Sequence, residues 1–256
     1  MLRGPRYLIA VAVTASLSTL GSAPVAAQHS PHWSYSGPTG PAKWATLDKE
    51  YSSCALGKYE SPIDIRDAVA KKTDLPAINF DYQPSPLKII DNGHTIQINY
   101  APGSVITVGG KQYELVQFHF HKPSEEKLNG KSYDMVAHLV HKDKDGKLAV
   151  VAVLLAKGGA NPLIQTLWDN LPKQKESETV VEAVKINVAD LLPKNKAYYT
   201  FAGSLTTPPC SEGVTWFVLK HSTPISAAEI ARFAKSYPMN ARPVQPLNGR
   251  EVRASE

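Results

Sequence analysis

Within 256 residues the chain carries 28 lysines and arginines against 23 aspartates and glutamates, a formal net charge of +5. The basic residues are scattered, with no basic block interleaved with aromatic side chains, which argues against nucleic acid as a partner. A hydrophobic content of 43% at this length suits one domain with a sizeable core.

The first residues read as a removable address. Arg3 and Arg6 precede an uncharged apolar stretch from Tyr7 to Leu20, and Val25-Ala26-Ala27 offers small residues for cleavage before Gln28. That stretch is too short and too rich in Ala, Ser and Thr for a membrane span. Residues 1–27 are therefore expected to be a secretory signal, leaving a domain over 28–256 with no span. Without the two leader arginines the chain holds 26 basic and 23 acidic residues, a net charge of +3. The Pro-rich arm from Ser30 to Pro41 is expected to be ordered, because Trp33, Tyr35 and Trp44 give it rings to bury.

Short apolar or alternating runs follow: Ile89–Ile90, Ile96–Tyr100, Val105–Val108, Leu115–His121, Met135–His141, Leu148–Leu155 and Val214–Lys220. Turn residues separate them at Asp91-Asn92-Gly93, Pro102-Gly103, Gly109-Gly110, Asn129-Gly130 and Asp145-Gly146, the last a hairpin signal. Helical patterns are few: Asn161–Asn170, and Ser226–Tyr237 opened by a Ser226/Glu229 capping box. The pattern predicts a single α+β domain on a large central, mostly antiparallel twisted β-sheet with short peripheral helices. The two cysteines, Cys54 and Cys210, form an even pair that suggests a disulfide in an exported chain, two free thiols being the alternative.

Residues 117–121 read QFHFH. Alternation along a strand points His119 and His121 to one face, with Gln117 beside them. Two imidazoles on one face are often no more than polar surface, yet a catalytic zinc takes three protein ligands and leaves one position open. His138, in the next apolar run, is placed to be the third, whereas His141 falls on the opposite face as a structural or exposed residue. Gln117 is positioned to hold the other nitrogen of His119. Glu125 can accept from Thr206, so that the Thr206 hydroxyl must accept from the metal-bound water. His94, in a turn, has an unperturbed pKa near 6.5 that suits proton transfer at neutral pH. Taken singly, Gln117, the Thr206-Thr207 pair and His94 each fit an ordinary strand or turn role.

Several motifs in order, HWSY (32–35), SPIDI (61–65), DNGH (91–94), QFHFH (117–121), PSEE (123–126), AHLVH (137–141), GSLTTPPCSEGVTWFVL (203–219) and NARPVQPL (240–247), make the chain resemble the α-class carbonic anhydrases of the exported bacterial branch. The resemblance implies a zinc lyase that reversibly hydrates carbon dioxide to bicarbonate and a proton through a zinc hydroxide. It implies zinc on His119, His121 and His138, orientation by Thr206 and Glu125, and a proton shuttle at His94. Val140, Val150, Leu205, Val214 and Trp216 match the apolar wall for carbon dioxide, and Thr207 the hydrophilic half. Tyr35 and Gln97 match residues that order water, and Asn240 one whose carbonyl supports His121. Cys54 and Cys210 match a disulfide of that branch. Sulfonamides and small anions are the implied inhibitors, activated esters a side substrate, the periplasm the implied location, and a homodimer is compatible with the resemblance.

Two residues depart from it. Val136 stands where many members carry a glutamate two residues before the third ligand, leaving His138 to use water or another group, or to go unsupported. Glu60 stands where glutamine is common, with no consequence legible in the sequence. Two other classes compete: a non-catalytic binding module on the same scaffold, and a cupin-like iron oxygenase, which would need a carboxylate ligand.

Overall fold

In the computed structural model, residues 32–256 and Met1 are described, and residues 31–256 form one compact unit. The expected signal lies outside the described residues apart from Met1. Among the described residues no helix is long and apolar enough to cross a membrane.

A 13-stranded sheet carries the unit. Its long strands are β1 (Ser85–Asp91), β2 (Ile96–Asn99), β3 (Lys111–His121), β4 (Met135–Lys142), β5 (Leu148–Lys157), β6 (Thr179–Ile186), β7 (Tyr198–Ser204) and β8 (Glu212–Leu219). Across the sheet they run β6-β1-β2-β3-β4-β5-β8-β7, and the two-residue strands Arg253–Ala254 and Lys71–Lys72 extend the β7 edge. The pairings are antiparallel except where β5 runs parallel to β8 and to Thr223–Ile225, and where the two short strands meet. The expected strand-dominated α+β architecture is what the structure has.

Both faces of the central strands are covered, which explains why β5 reads as a continuous apolar run rather than an alternation. Ala149, Val151, Val153 and Leu155 enter one core with Phe118, Phe120, Leu139, Trp168 and Phe233. Val150, Ala152 and Leu154 enter another with Val136, Val214 and Trp216. Two helices pack on the first face. In α1 (Pro162–Asp169) Asn161 caps the N-terminus by accepting from the amides of Leu163 and Ile164. In α2 (Ala227–Ser236) the Ser226/Glu229 capping box is formed, and Glu229 also accepts from the Asn161 amide at 3.1 Å, tying the two helix starts together. The expected helices thus begin where their caps stand.

The arm after His32 forms short 3-10 turns and a helical turn at Trp44–Leu47. Trp33 and Tyr35 pack on buried Trp44 beside a disulfide between Cys54 and Cys210. The bridge joins that arm to the loop after β7, 156 positions away.

Candidate metal centre

Strand register sets the site. His119 of β3 lies opposite His138 of β4, flanked by Gln97 of β2 on one side and Ala152 of β5 on the other. The neighbouring rung reads Asn99, Gln117, Val140, Val150, Trp216 across β2, β3, β4, β5 and β8. Because side chains alternate, both rungs present the same face. That face is polar over β2 and β3 and apolar over β5 and β8, with the histidines at the boundary.

One nitrogen from each of His119, His121 and His138 lies within 4.8 Å of the others. The opposite nitrogens are already engaged. His119 Nδ1 meets Gln117 Oε1 at 2.9 Å, and His121 Nδ1 donates to the Asn240 carbonyl at 2.8 Å. His138 Nε2 lies 3.1 and 3.2 Å from the two oxygens of Glu126. Two Nε2 atoms and the Nδ1 of His138 therefore turn inward, and His121 Nε2 is buried there without a partner among the described residues. A buried nitrogen lone pair left unmatched costs free energy unless something fills the centre. Three imidazoles and no thiolate fit zinc with a position left open.

Electrostatics favour neutral ligands at two positions. Burial, helped by His138, pushes the pKa of His119 down to about 3. Burial also holds His121 well below the ordinary range, reinforced by His138 and His119. At His138 burial acts the same way, but Glu126 and Glu125 outweigh it and raise the pKa.

Glu125 is buried, with its Oε1 accepting from the Arg242 amide at 2.7 Å. Burial lifts its pKa to about 7 despite the pull of His138. The hydroxyl of Thr206 also acts on this carboxylate and lowers its pKa, although Oε2 meets no donor in hydrogen-bonding geometry. Asn240 is a clasp: besides its carbonyl on His121, its side chain accepts from the Lys122 amide at 2.7 Å and donates to the carbonyls of His94 and Phe120 at 3.0 Å.

The expected wall residues come together. Val150, Val214 and Trp216 are buried in one cluster with half-buried Val140 and Leu205, and the Trp216 ring meets His138 edge-on at 4.9 Å. Thr207 is half-buried in the adjoining loop. Gln97 accepts from Asn92 at 3.2 Å and donates to Asn99 at 2.7 Å, forming a chain of amides beside His119. The Tyr35 hydroxyl is buried without a partner among the described residues, and burial and Glu125 raise its pKa well above normal. His141 is buried on the opposite face, its Nε2 against the Tyr82 hydroxyl at 2.9 Å.

One expectation needs correction. His94 does not keep an unperturbed pKa: it stacks on Trp33 at 3.6 Å with His32 at 4.7 Å, and burial together with the His32 and Lys175 charges lowers it to about 4. Of the alternatives that Val136 leaves to His138, the structure has another group, a carboxylate that Glu126 supplies from a different segment. The role of Glu60, left open by the sequence, is that its Oε2 receives Arg242 Nη1 at 2.6 Å inside the protein. Sequence reasoning missed Glu126 and Arg242, although PSEE and NARPVQPL contain them. The signal was the second acid of PSEE, adjacent to one already assigned.

A family profile described as eukaryotic-type carbonic anhydrase matches residues 39–256. The chain belongs to the α-class carbonic anhydrases. A carbonic anhydrase of Klebsiella pneumoniae is 45% identical over 241 residues, covering 93% of this chain and 96% of that protein. One from Nostoc is 41% identical over 226 residues, covering 86% and 85%. The α-carbonic anhydrase of Thermovibrio ammonificans, solved in complex with the inhibitor sulfanilamide, superposes with a TM-score of 0.84 at 42% identity, covering 88% of this chain and 99% of that one. The carbonic anhydrase fold thus accounts for nearly all of the described chain.

Proposed function

We propose that this carbonic anhydrase holds zinc on His119, His121 and His138 and hydrates carbon dioxide reversibly to bicarbonate and a proton. The observation that carries the reading is the convergence of three imidazole nitrogens, one of them buried and unmatched, at the border of an apolar wall. When bound, zinc would supply the Lewis acidity that lowers the pKa of a coordinated water far below that of bulk water, to about 7.

The chain's own residues do the rest. Burial keeps His119 and His121 uncharged, so they bring lone pairs and leave the cation's charge unspent. Gln117, the Asn240 carbonyl and Glu126 fix the three ring orientations. Thr206, with its proton directed at Glu125, presents a lone pair to the reacting water and sets the direction of attack. Val140, Val150, Leu205, Val214 and Trp216 receive carbon dioxide, a substrate without charge or strong donors that an apolar wall suits. Thr207 stands on the side from which bicarbonate leaves, and Tyr35 and Gln97 order water between the site and His94. His94 passes protons outward once its ring is free of the Trp33 stack, because a pKa of about 4 makes the stacked ring a poor base at pH 7.

The export reading places the enzyme in the periplasm, with sulfonamides and small anions as inhibitors, ester hydrolysis as a side activity and a homodimer as the assembly to examine. The test is metal analysis of protein purified without added zinc, together with stopped-flow carbon dioxide hydration with and without a sulfonamide. About one equivalent of zinc and sulfonamide-sensitive hydration support the reading. Under about a tenth of an equivalent with no hydration would leave a binding module, and iron in place of zinc an oxygenase.

A further inference from the structure

We infer that Glu126 is a positioning residue for His138, and that Glu126 and Val136 are two halves of one exchange in which the carboxylate serving that imidazole has moved from the strand to the preceding turn. The inference rests on the zinc reading above. A metal-binding histidine donates its remote N–H to an acceptor that fixes the ring and raises its basicity. Both oxygens of Glu126 straddle His138 Nε2, at 3.1 and 3.2 Å, and the Glu126 side chain has no solvent exposure.

The turn is built to hold it there. Ser124 Oγ donates to the Glu126 carbonyl at 2.8 Å and accepts from the Tyr133 amide at 2.8 Å, while the Ser124 amide donates to the Tyr133 carbonyl at 3.1 Å. The Lys127 amide donates to the Ile63 carbonyl at 3.2 Å. Consecutive acids thereby serve different tasks: Glu125 faces Thr206 and the Arg242 amide, and Glu126 faces His138.

Val136 is the counterpart. It sits two residues before His138 on β4, fully buried among Ile63, Ile65 and Leu154. The same i, i+2 spacing on β3 lets Gln117 reach His119, so a glutamate at 136 would approach His138 along an equivalent path. His138 Nε2 has one N–H to give. With Glu126 in place, a second carboxylate would be a buried charge without a partner, which is costly. Valine fills that space with apolar volume instead.

The experiment is zinc retention, read as the rate of zinc transfer from the loaded protein to a chelator and as competition affinity, for wild type, E126Q, E126A, V136E and E126A/V136E. Melting of each metal-free protein is recorded alongside. E126A is expected to bind zinc roughly 10–100-fold more weakly, the usual effect of losing such a partner. E126Q, which keeps the shape and an acceptor but not the charge, should fall between E126A and wild type. V136E should lower the metal-free melting temperature, and the double variant should regain most of the affinity lost in E126A, a coupling that separate sites would not show. Wild-type retention in E126Q and E126A, or no recovery in the double variant, overturns the exchange. If E126A does not fold, E126Q decides. Wild-type protein that takes up no zinc overturns the zinc reading along with this one, whereas zinc in the wild type with E126Q and E126A unchanged overturns this one alone.

Discussion

Replacing Glu60 by alanine should destabilise the protein severely, whereas replacing it by glutamine should not. Arg242 is only 3% exposed, and its Nη1 donates to Glu60 Oε2 at 2.6 Å and to the Ser61 carbonyl at 2.7 Å, with Nη2 on the Cys54 carbonyl at 2.9 Å. Alanine leaves a buried guanidinium with neither its counter-charge nor an acceptor for Nη1 at that position, a loss of about 3–5 kcal/mol. For a domain of this size each kcal/mol shifts the melting temperature by roughly 2–4 °C, so E60A should melt roughly 6–20 °C lower. Glutamine keeps an acceptor for Nη1 and removes a carboxylate whose Oε1 has no partner and whose pKa burial raises in spite of Arg242. Removing both an attraction and a desolvation cost should leave E60Q within about 1 kcal/mol of wild type.

The pH dependence gives a second check. The folded carboxyl holds its proton to higher pH than the unfolded one, so wild-type stability from this group declines as pH rises from about 4.5 through the folded pKa. E60Q should lose that decline. The assay is urea unfolding at several pH values with the disulfide intact. An E60A loss below about 1 kcal/mol refutes the reasoning, and an E60Q loss equal to that of E60A shows that the counter-charge rather than the acceptor carries the stability.

Four other outcomes are expected. Serine at both Cys54 and Cys210 should cost about 2–5 kcal/mol by chemical denaturation, since the bridge closes a loop spanning 156 positions; an unchanged midpoint would show that the link contributes nothing. His141 is held neutral by burial, with its pKa near 3, so it withdraws stability as pH falls below the unfolded value of 6.5, by about 2 kcal/mol from pH 6.5 to 5. The stability gap between wild type and H141F should therefore narrow over that range, and a constant gap contradicts it. W33A should raise the His94 pKa from about 4 toward 6.5 in NMR titration, and H94A should slow hydration most in weak buffer with partial rescue by imidazole. A pKa unmoved by W33A rules out the stacking contact as the cause.

Much of the architecture was legible because its signals are local. The period-two runs, the Asp145-Gly146 turn and the Ser226/Glu229 box each act through neighbouring residues. β6 escaped because its outer face is exposed and interrupted by Glu182 and Lys185, and β7 because burial on both faces erases alternation. At the site, the HxH pair with His138 stood out through strand parity alone. The partner of His138 did not, because parity predicts a residue at 136 and the carboxylate arrives from a turn whose direction is set by Ser124 and Tyr133. The lowered His94 pKa was likewise invisible, because it follows from burial and from the nearby His32 charge, and the rings packed on His94 come from the N-terminal arm, some 60 positions earlier in the chain.

The Asn240 clasp has a consequence for biosynthesis. A chain emerging from its N-terminus has made all three imidazoles by residue 138, yet the carbonyl that orients His121 is synthesised 119 residues after that histidine. Until the final stretch docks, the middle ring is free to rotate and presents no fixed lone pair. On the zinc reading, ion capture would thereby be weakened until folding is nearly complete, leaving an incomplete or misfolded polypeptide a poorer competitor for scarce metal.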